Sequence, residues 1–360
     1  MGMSFRSRFA VLALALGVSV GVMGQGAMAA KVGNIDVSGY VDVYGAFNMN
    51  TPAVIGTPFH LFEPAEGAAL NRAEIVFDHP MFRLDLGYGP TDAAVSGFGT
   101  TANAQQLFIK WPVEWMGRSI QIDAGKFVTH MGTEVIESKD NWLYSRGLLF
   151  QYAIPYFHTG IRATGPINDT WWGHAALVNG WNNIAAVTRS PAYCLQVGGK
   201  PMGNLTTILN YIGGTVAVAG STASVIDIVV SYDVNSMLSL GLNYDTGSVR
   251  AAAAGAIPTY SAFALYGKYA LATGTVALRY ESFSDPSAAF VGVAQLNFAG
   301  GATTVSSITV GYDVPLQKNT TGRVEYRVDS ATPGTPFTTS AGAALSGSSS
   351  AITAGLVTTF

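Results

Sequence analysis

The sequence is poor in charged residues. Asp, Glu, Lys and Arg make up 11% of its 360 residues, whereas an ordinary soluble domain carries about 25%. Hydrophobic residues account for 49% of the chain, which excludes a disordered protein. The formal net charge of -3 comes with no basic cluster. The composition therefore gives no surface for binding nucleic acid.

Cysteine is almost absent. Cys194 is the single cysteine, so the chain can form neither an intrachain disulfide nor a cysteine metal cluster. The histidines are His60, His79, His130, His158 and His174. Their spacing along the chain matches no zinc motif. From the sequence we expect no metal and no cofactor, and a fold held by burial and backbone hydrogen bonds.

The mature chain has no clear membrane-spanning helix. Residues 201–226, 286–312 and 330–360 lack charge, but they are crowded with Gly, Ser, Thr and Asn, whereas a spanning helix needs about 20 predominantly apolar residues. Alternation describes them better, as in Ile226, Ile228 and Val230. A period of two residues predicts β-strands with two different faces.

The first thirty residues have the three parts of a secretory signal. Arg6 and Arg8 precede an apolar stretch, and small residues follow it. We expect cleavage after Ala29 or Ala30, which makes residues 1–30 the signal peptide and residues 31–360 one domain. Cleavage would remove two of 19 basic and none of 22 acidic residues, leaving a net charge of -5.

The content of the two strand faces indicates a membrane barrel. Charges recur at i and i+2, as in Arg83 and Asp85, while the opposite face carries Leu84 and Leu86. Membrane barrels turn apolar side chains to lipid and polar ones to a wet interior. Alternation also continues to a terminal Phe360. A soluble secreted β-protein, which would bury its apolar face, is the less favoured class.

We expect an all-β fold, a transmembrane antiparallel up-and-down barrel of about 16 strands, with 14 or 18 as alternatives. A further apolar candidate, residues 289–298, is assigned to an outer loop because single-chain bacterial barrels have an even strand number. The predicted strands are 36–48, 70–78, 82–89, 103–111, 119–128, 157–164, 170–178, 192–200, 204–212, 223–234, 237–245, 260–270, 274–283, 304–313, 320–329 and 351–360.

The third outer loop, Thr129 to Tyr156, has the densest chemistry in the chain. By analogy with general porins, this loop folds inward and narrows the channel. Its carboxylates lack the sheltered pocket of an acid-base catalyst, so a charged constriction and loop-holding ion pairs remain as the two interpretations. The candidate constriction residues are Glu134, Glu137, Lys139, Asp140 and Arg146.

Two further sets of candidate residues follow from the strands. The predicted pore-lining wall residues are Arg72, Glu74, Arg83, Asp85, Asp123, Arg162, Asp227, Arg279, Glu281, Arg323, Glu325 and Arg327. The predicted membrane-interface aromatics are Trp111, Trp115, Trp171, Trp172 and Phe360. Strict alternation from Asp123 would turn Lys126 toward lipid. We therefore predict a bulge at Gly125 or an early end of that strand.

The central blocks resemble a known family. Residues 123–130 (DAGKFVTH), 134–142 (EVIESKDNW), 144–146 (YSR) and 154–160 (IPYFHTG) are similar to the beta-barrel porin-2 (OmpL-like) outer-membrane porin family, as are Val178 to Asn183 and Gly39 to Asp42. The resemblance implies a channel in the outer membrane of a Gram-negative bacterium, through which small hydrophilic solutes or ions diffuse passively.

Other functional classes remain open at this point. A barrel plugged by its loops, acting as a surface-interaction or structural protein, is the alternative to a channel. An enzyme is not expected, since no catalytic motif is present. The expected partners are outer-membrane lipid and small hydrophilic solutes or ions, with no nucleic acid, and a homotrimer is suggested by analogy with classical porins.

Overall fold

A computed structural model describes residues 30–50, 60–96, 102–186, 188–215, 222–250, 259–285, 304–333, 337–338 and 345–360. Residues 1–29 of the predicted signal peptide and the candidate segment 289–298 lie outside the described residues. In the described part, no helix has both the length and the apolar composition needed to cross a membrane.

Sixteen long strands dominate the structure. They are β1 (Ile35–Asn48), β2 (Gly67–His79), β3 (Phe82–Tyr88), β4 (Ala102–Trp115), β5 (Arg118–Val128), β6 (Phe157–Pro166), β7 (Trp171–Val178), β8 (Ala192–Met202), β9 (Leu205–Thr215), β10 (Thr222–Asp233), β11 (Leu238–Arg250), β12 (Thr259–Leu271), β13 (Gly274–Ser284), β14 (Thr304–Gln317), β15 (Thr320–Thr332) and β16 (Ser348–Thr359). Each predicted strand overlaps one of these, so the predicted strand count is confirmed.

The strands form one closed sheet. Each strand pairs antiparallel with its neighbours in the chain, and β16 pairs with β1 from Ala351 opposite Asn48 to Thr359 opposite Tyr40. The short strand Ala30–Val32 folds back on the start of β1. Within the residues that the structure describes, closure leaves the sixteen-stranded barrel without an edge strand, which is the condition for a β-structure within lipid.

The outer face of the barrel is apolar. Leu86, Ile109, Ile161, Leu195 and Leu240 are exposed there, whereas their chain neighbours Asp85 and Cys194 are buried. The apolar residues thus point outward, which excludes the soluble β-protein with an inward core.

The two ends of the barrel differ. One end, the short-turn end, carries connections of two to four residues, such as residues 80–81, 116–117 and 203–204. The other, the long-loop end, carries the long connections, among them residues 89–101 and 129–156. Short helices lie only among these longer connections in the described part: α1 (Pro90–Val95), a 3₁₀ turn (Ser138–Asp140) and a π-helical turn (Leu149–Ala153).

One of the predicted interface aromatics is placed on the wrong face. Trp111 and Trp115 are exposed on the outer surface, as is Phe360, and Trp171 covers Gly199 on that surface. Trp172 instead faces the interior, where its indole Nε1 donates to Gln196 Oε1 at 3.2 Å. Strand parity explains the correction, because Trp172 shares a face with the buried His174.

The predicted bulge at Gly125 is also wrong. β5 runs on to Val128 and pairs with β4 without a register shift. Gly125 instead has a φ of +142°, and a Cβ there would meet the backbone of Leu107. Lys126 lies near the long-loop end, where its amine donates to Asn103 Oδ1 at 2.9 Å and Ala104 O at 3.0 Å. These contacts keep the ammonium group out of lipid.

Candidate functional site

The loop between β5 and β6, residues 129–156 and here the third loop, lies inside the barrel. Near its start, Gly132 N donates to Asp227 Oδ2 on β10 at 2.7 Å. Near its middle, Tyr144 Oη donates to Asp42 Oδ1 on β1 at 2.6 Å. Because β1 and β10 are far apart around the barrel, the loop must cross the lumen to make both contacts.

Arginines of the inner wall hold the loop backbone. On β15, Arg323 Nη2 donates to Asn141 O at 2.8 Å, and Arg327 Nη1 donates to Arg146 O at 2.9 Å. On β13, Arg279 Nη1 donates to Ser145 O at 2.8 Å. A guanidinium group offers five donors in a rigid plane, so it can hold a carbonyl oxygen and a carboxylate at the same time.

Each of these arginines also has an acidic partner. Arg279 pairs with Glu281 at 2.7 Å and with Glu134 of the loop, and Arg323 pairs with Asp313 at 2.8 Å. These pairs compensate the cost of burying the arginine charges. The wall charges beside the loop therefore act first as its attachment points.

Glu325 on β15 provides the complementary contact. Its Oε2 accepts hydrogen bonds from two successive backbone groups, Tyr144 N and Ser145 N, each at 3.0 Å. A carboxylate that accepts two buried N–H groups makes stronger bonds than a neutral acceptor would. Glu325 thus fixes the loop at Tyr144 and Ser145.

Wall glycines provide the space that the loop occupies. A Cβ on Gly355 of β16 would overlap the ring of Tyr144, and a Cβ on Gly311 of β14 would meet Leu143 at 2.5 Å. Both tolerate close approach because they lack side chains. The side chains of Tyr144 and Leu143 therefore pack directly against the backbone of these two wall glycines.

The loop also carries an apolar core. Phe150, Tyr152 and Ile154 are buried together with wall residues such as Phe127 and Phe283. Phe62, from the first outer loop, packs on Phe150 with ring centroids 5.4 Å apart. This cluster occupies the lumen at the long-loop side of the third loop.

Two of the five candidate constriction residues are buried in this scaffold. Glu134 pairs with Arg279 and accepts from Gly147 N at 2.5 Å. Arg146 is fully buried and pairs with Glu63. Burial raises the pKa of Glu63 to about 7, while the Arg146 guanidinium acts in the opposite direction. Glu134 and Arg146 therefore hold the loop and do not face open solvent.

The other three candidates face a cavity. Glu137, Lys139 and Asp140 line a space of about 620 Å³ at the short-turn side of the third loop. A water molecule occupies about 30 Å³ of liquid, so this cavity has room for about 20 waters. Asp140 is the most open of the three, with a side chain 52% exposed and an ion pair to Lys139.

The cavity wall carries both signs of charge. Its acidic residues are Asp36, Glu74, Asp78, Glu137 and Asp140, and its basic residues are Arg83, Lys139 and Arg162. Arg162 pairs with Asp123 at 2.8 Å, and Arg83 pairs with Asp85 at 2.9 Å. All twelve predicted wall residues point to the interior. Glu74, Arg83 and Arg162 line this cavity, and Asp85 and Asp123 pair with two of them. The other seven contact the third loop.

Arg72 joins the two regions. Its guanidinium pairs with Glu74 on the wall at 3.0 Å, Glu137 on the third loop at 3.1 Å, and Asp92 on α1 at 3.1 Å. Burial raises the pKa of Asp92 to about 6, against the lowering effect of Arg72. The second and third outer loops are thereby tied to one wall arginine.

Sequence reasoning missed several residues of this site. Asp42 accepts from Ser138 Oγ at 2.6 Å and Asn71 Nδ2 at 2.9 Å, besides Tyr144. Asn71 faces inward next to Arg72 because the β1–β2 register shifts between Asp42 and Val43, and a bulge can turn neighbouring side chains to one face. Of these residues, only Asp42 could have been predicted to face the interior, because it alternates along β1 with Tyr40 and Tyr44.

Residues 34–360 match the family described as "Putative beta-barrel porin-2, OmpL-like". Comparison with curated protein sequences gives no match. Among solved structures, an anion-selective porin from Comamonas acidovorans is similar at a TM-score of 0.63 and 13% identity, covering 91% of this chain and 99% of that one. In-vitro folded OmpT of Vibrio cholerae, an outer membrane protein, is similar at a TM-score of 0.58 and 13% identity. The match covers 93% of this chain and 100% of OmpT. At these identities the likeness shows the barrel fold alone.

Proposed function

This chain belongs to the beta-barrel porin-2 (OmpL-like) family of the Gram-negative outer membrane, and on that premise we propose that it is a non-enzymatic channel for passive diffusion of small hydrophilic solutes and ions. The observation that carries the proposal is the charged cavity of about 620 Å³ beside the third loop. Polar walls replace part of the hydration of a passing solute, as narrow pores require.

The three charges at the loop edge of the cavity are the proposed selectivity element. Glu137, Lys139 and Asp140 lie close together in the sequence, on a segment of the third loop that arginines of the barrel wall hold in place. Five acidic and three basic side chains line the cavity, so we propose a weak preference for cations. The homotrimer remains a prediction by analogy with classical porins.

Single-channel recording in a planar bilayer tests this function. We expect discrete conductance steps and a reversal potential, under a salt gradient, on the cation-selective side. Asp140→Asn removes an exposed carboxylate and should shift that potential toward anions, with a smaller shift at high salt because exposed charges are screened. Asp169→Asn, at a fully exposed carboxylate in a short turn, is the matched control and should shift it less.

A second candidate function rests on the apolar core of the third loop. Phe150, Tyr152 and Ile154 pack with Phe62 across the lumen, which favours a plugged barrel with a structural or surface-interaction role. The two functions separate in one assay. Folded, inserted protein that gives no conductance steps and no swelling of solute-loaded vesicles would contradict the channel and support the plug.

A further inference from the structure

Three potential metal ligands meet where the third loop leaves the wall. His130 lies at the start of the loop, His158 near the start of β6, and Cys194 on the inner face of β8. One ligand atom from each lies within 4.8 Å of the other two. The residues are far apart in the chain and come together only because β5 to β8 are neighbours in the barrel.

Backbone carbonyls determine which ring nitrogens are free. His130 Nε2 lies 3.2 Å from Tyr211 O, and His158 Nδ1 lies 3.0 Å from Gly180 O. A carbonyl oxygen can only accept, so these two nitrogens carry the hydrogens. The opposite nitrogens, His130 Nδ1 and His158 Nε2, then hold lone pairs.

Hydrogen bonding within the described residues satisfies these two nitrogens poorly. His130 Nδ1 is buried without a hydrogen-bond partner in the described part of the chain. Among the described residues, the partner of His158 Nε2 is the Thr129 hydroxyl, at 3.3 Å. Imidazoles whose second nitrogen is held by a backbone carbonyl are the usual form of histidine metal ligands. The alternative interpretation is that Cys194 is a small apolar residue packed in the core. That interpretation does not explain why His130 Nδ1 is buried without a hydrogen-bond partner.

We propose that His130 Nδ1, His158 Nε2 and Cys194 Sγ bind one transition-metal ion of the zinc type. Two imidazoles and one thiolate match the ligand preference of Zn²⁺, with a fourth position open to water. On binding, the thiol loses its proton to solvent and a metal–sulfur bond forms. Bond lengths of 2.0–2.3 Å place the nitrogen and sulfur ligand atoms about 3.3–3.6 Å apart. Separations of up to 4.8 Å must therefore shorten by at most about 1.5 Å.

The consequence is a metal clamp at the base of the third loop. His130 belongs to the loop, whereas the other two ligands belong to the barrel wall. His130 is partly buried as a residue, whereas its Nδ1 is enclosed. His174 stacks on His130 with ring centroids 5.0 Å apart and holds the ring in position without joining the ligand set. The proposal is independent of whether the barrel conducts.

Cobalt titration of the folded, tag-free protein under reducing conditions tests the site. Co²⁺ replaces Zn²⁺ and reports thiolate bonding as a near-ultraviolet charge-transfer band. We expect the band to saturate at one equivalent, to disappear in Cys194→Ser, and to require at least tenfold more metal in His158→Gln. His79→Gln removes a histidine at a short turn and should leave the titration unchanged.

A second measurement covers the case in which a variant fails to fold. X-ray absorption of the zinc-loaded wild type should show one sulfur at about 2.3 Å together with nitrogen at about 2.0 Å. Absence of the sulfur from that spectrum would overturn the site. So would a charge-transfer band that persists in folded Cys194→Ser, because the ion would then be bound elsewhere.

Discussion

Replacing Glu325 should loosen the third loop from the wall. Its Oε2 accepts from Tyr144 N and Ser145 N, each at 3.0 Å, in a fully enclosed setting. In Glu325→Ala both buried amides lose their acceptor. Hydrogen bonds to a charged group contribute about 1.5–3 kcal/mol each, so the two together correspond to about 3–6 kcal/mol.

Glu325→Gln separates charge from shape. The amide oxygen can still accept from the loop, but as a neutral group, and neutral hydrogen bonds contribute about 1 kcal/mol each. We expect a loss of about 1–4 kcal/mol for this variant. The order of stability should therefore be wild type, Glu325→Gln and Glu325→Ala, with Glu325→Ala the least stable.

Urea unfolding in lipid vesicles, followed by gel mobility of the folded barrel, measures the free energy of unfolding. Single-channel conductance of the same samples reports whether the loop has moved. Glu114→Ala, at an exposed glutamate near the short-turn end, is the control. Equal urea midpoints and equal conductance for Glu325→Ala and wild type would refute the anchoring role of Glu325.

Three further changes test the same packing. Tyr144→Phe removes the hydroxyl that bonds Asp42 and Asn71 and should lower the free energy of unfolding by about 1–3 kcal/mol, measured by urea unfolding. Gly355→Ala places a methyl group against the Tyr144 ring and should cost about 1–3 kcal/mol, a loss that Tyr144→Ala in the same chain should largely relieve. Burial raises the pKa of Glu63 from 4.5 to about 7, so the folded state binds the extra proton between these values and stability should fall as pH rises through them. Urea midpoints at pH 5 and pH 8 should differ less in Glu63→Gln than in wild type, and an equal difference would contradict this pKa.

The strands and their faces could be predicted because they are local properties. Alternation over ten residues places Arg279 and Glu281 on one face and Leu278 and Tyr280 on the other without knowledge of the partner strands. The same parity argument would have placed Trp172 inside with His174. Its position at a strand end suggested an interface role instead, which parity overrides.

The roles of the third-loop residues could not be predicted in the same way. Glu134 and Asp140 are both acids in one loop, yet one is buried against Arg279 and the other faces the cavity. That difference depends on β13, which follows more than 100 residues later in the chain. The parity conflict at Lys126 drew attention to Gly125, but it predicted a bulge or an early strand end. The strand is instead regular, with a positive φ at Gly125.

The anchors of the third loop also constrain the order in which the barrel can assemble. Tyr144 and Ser145 meet Glu325 across about 180 residues of chain, and contacts of such long range form late in folding. While β1 to β12 are in place, the loop backbone has neither Arg279 nor Glu325 to bind. The loop can therefore reach its final position only after β13 to β15 have joined the sheet, so the shape of the lumen is set late, shortly before β16 closes the barrel on β1.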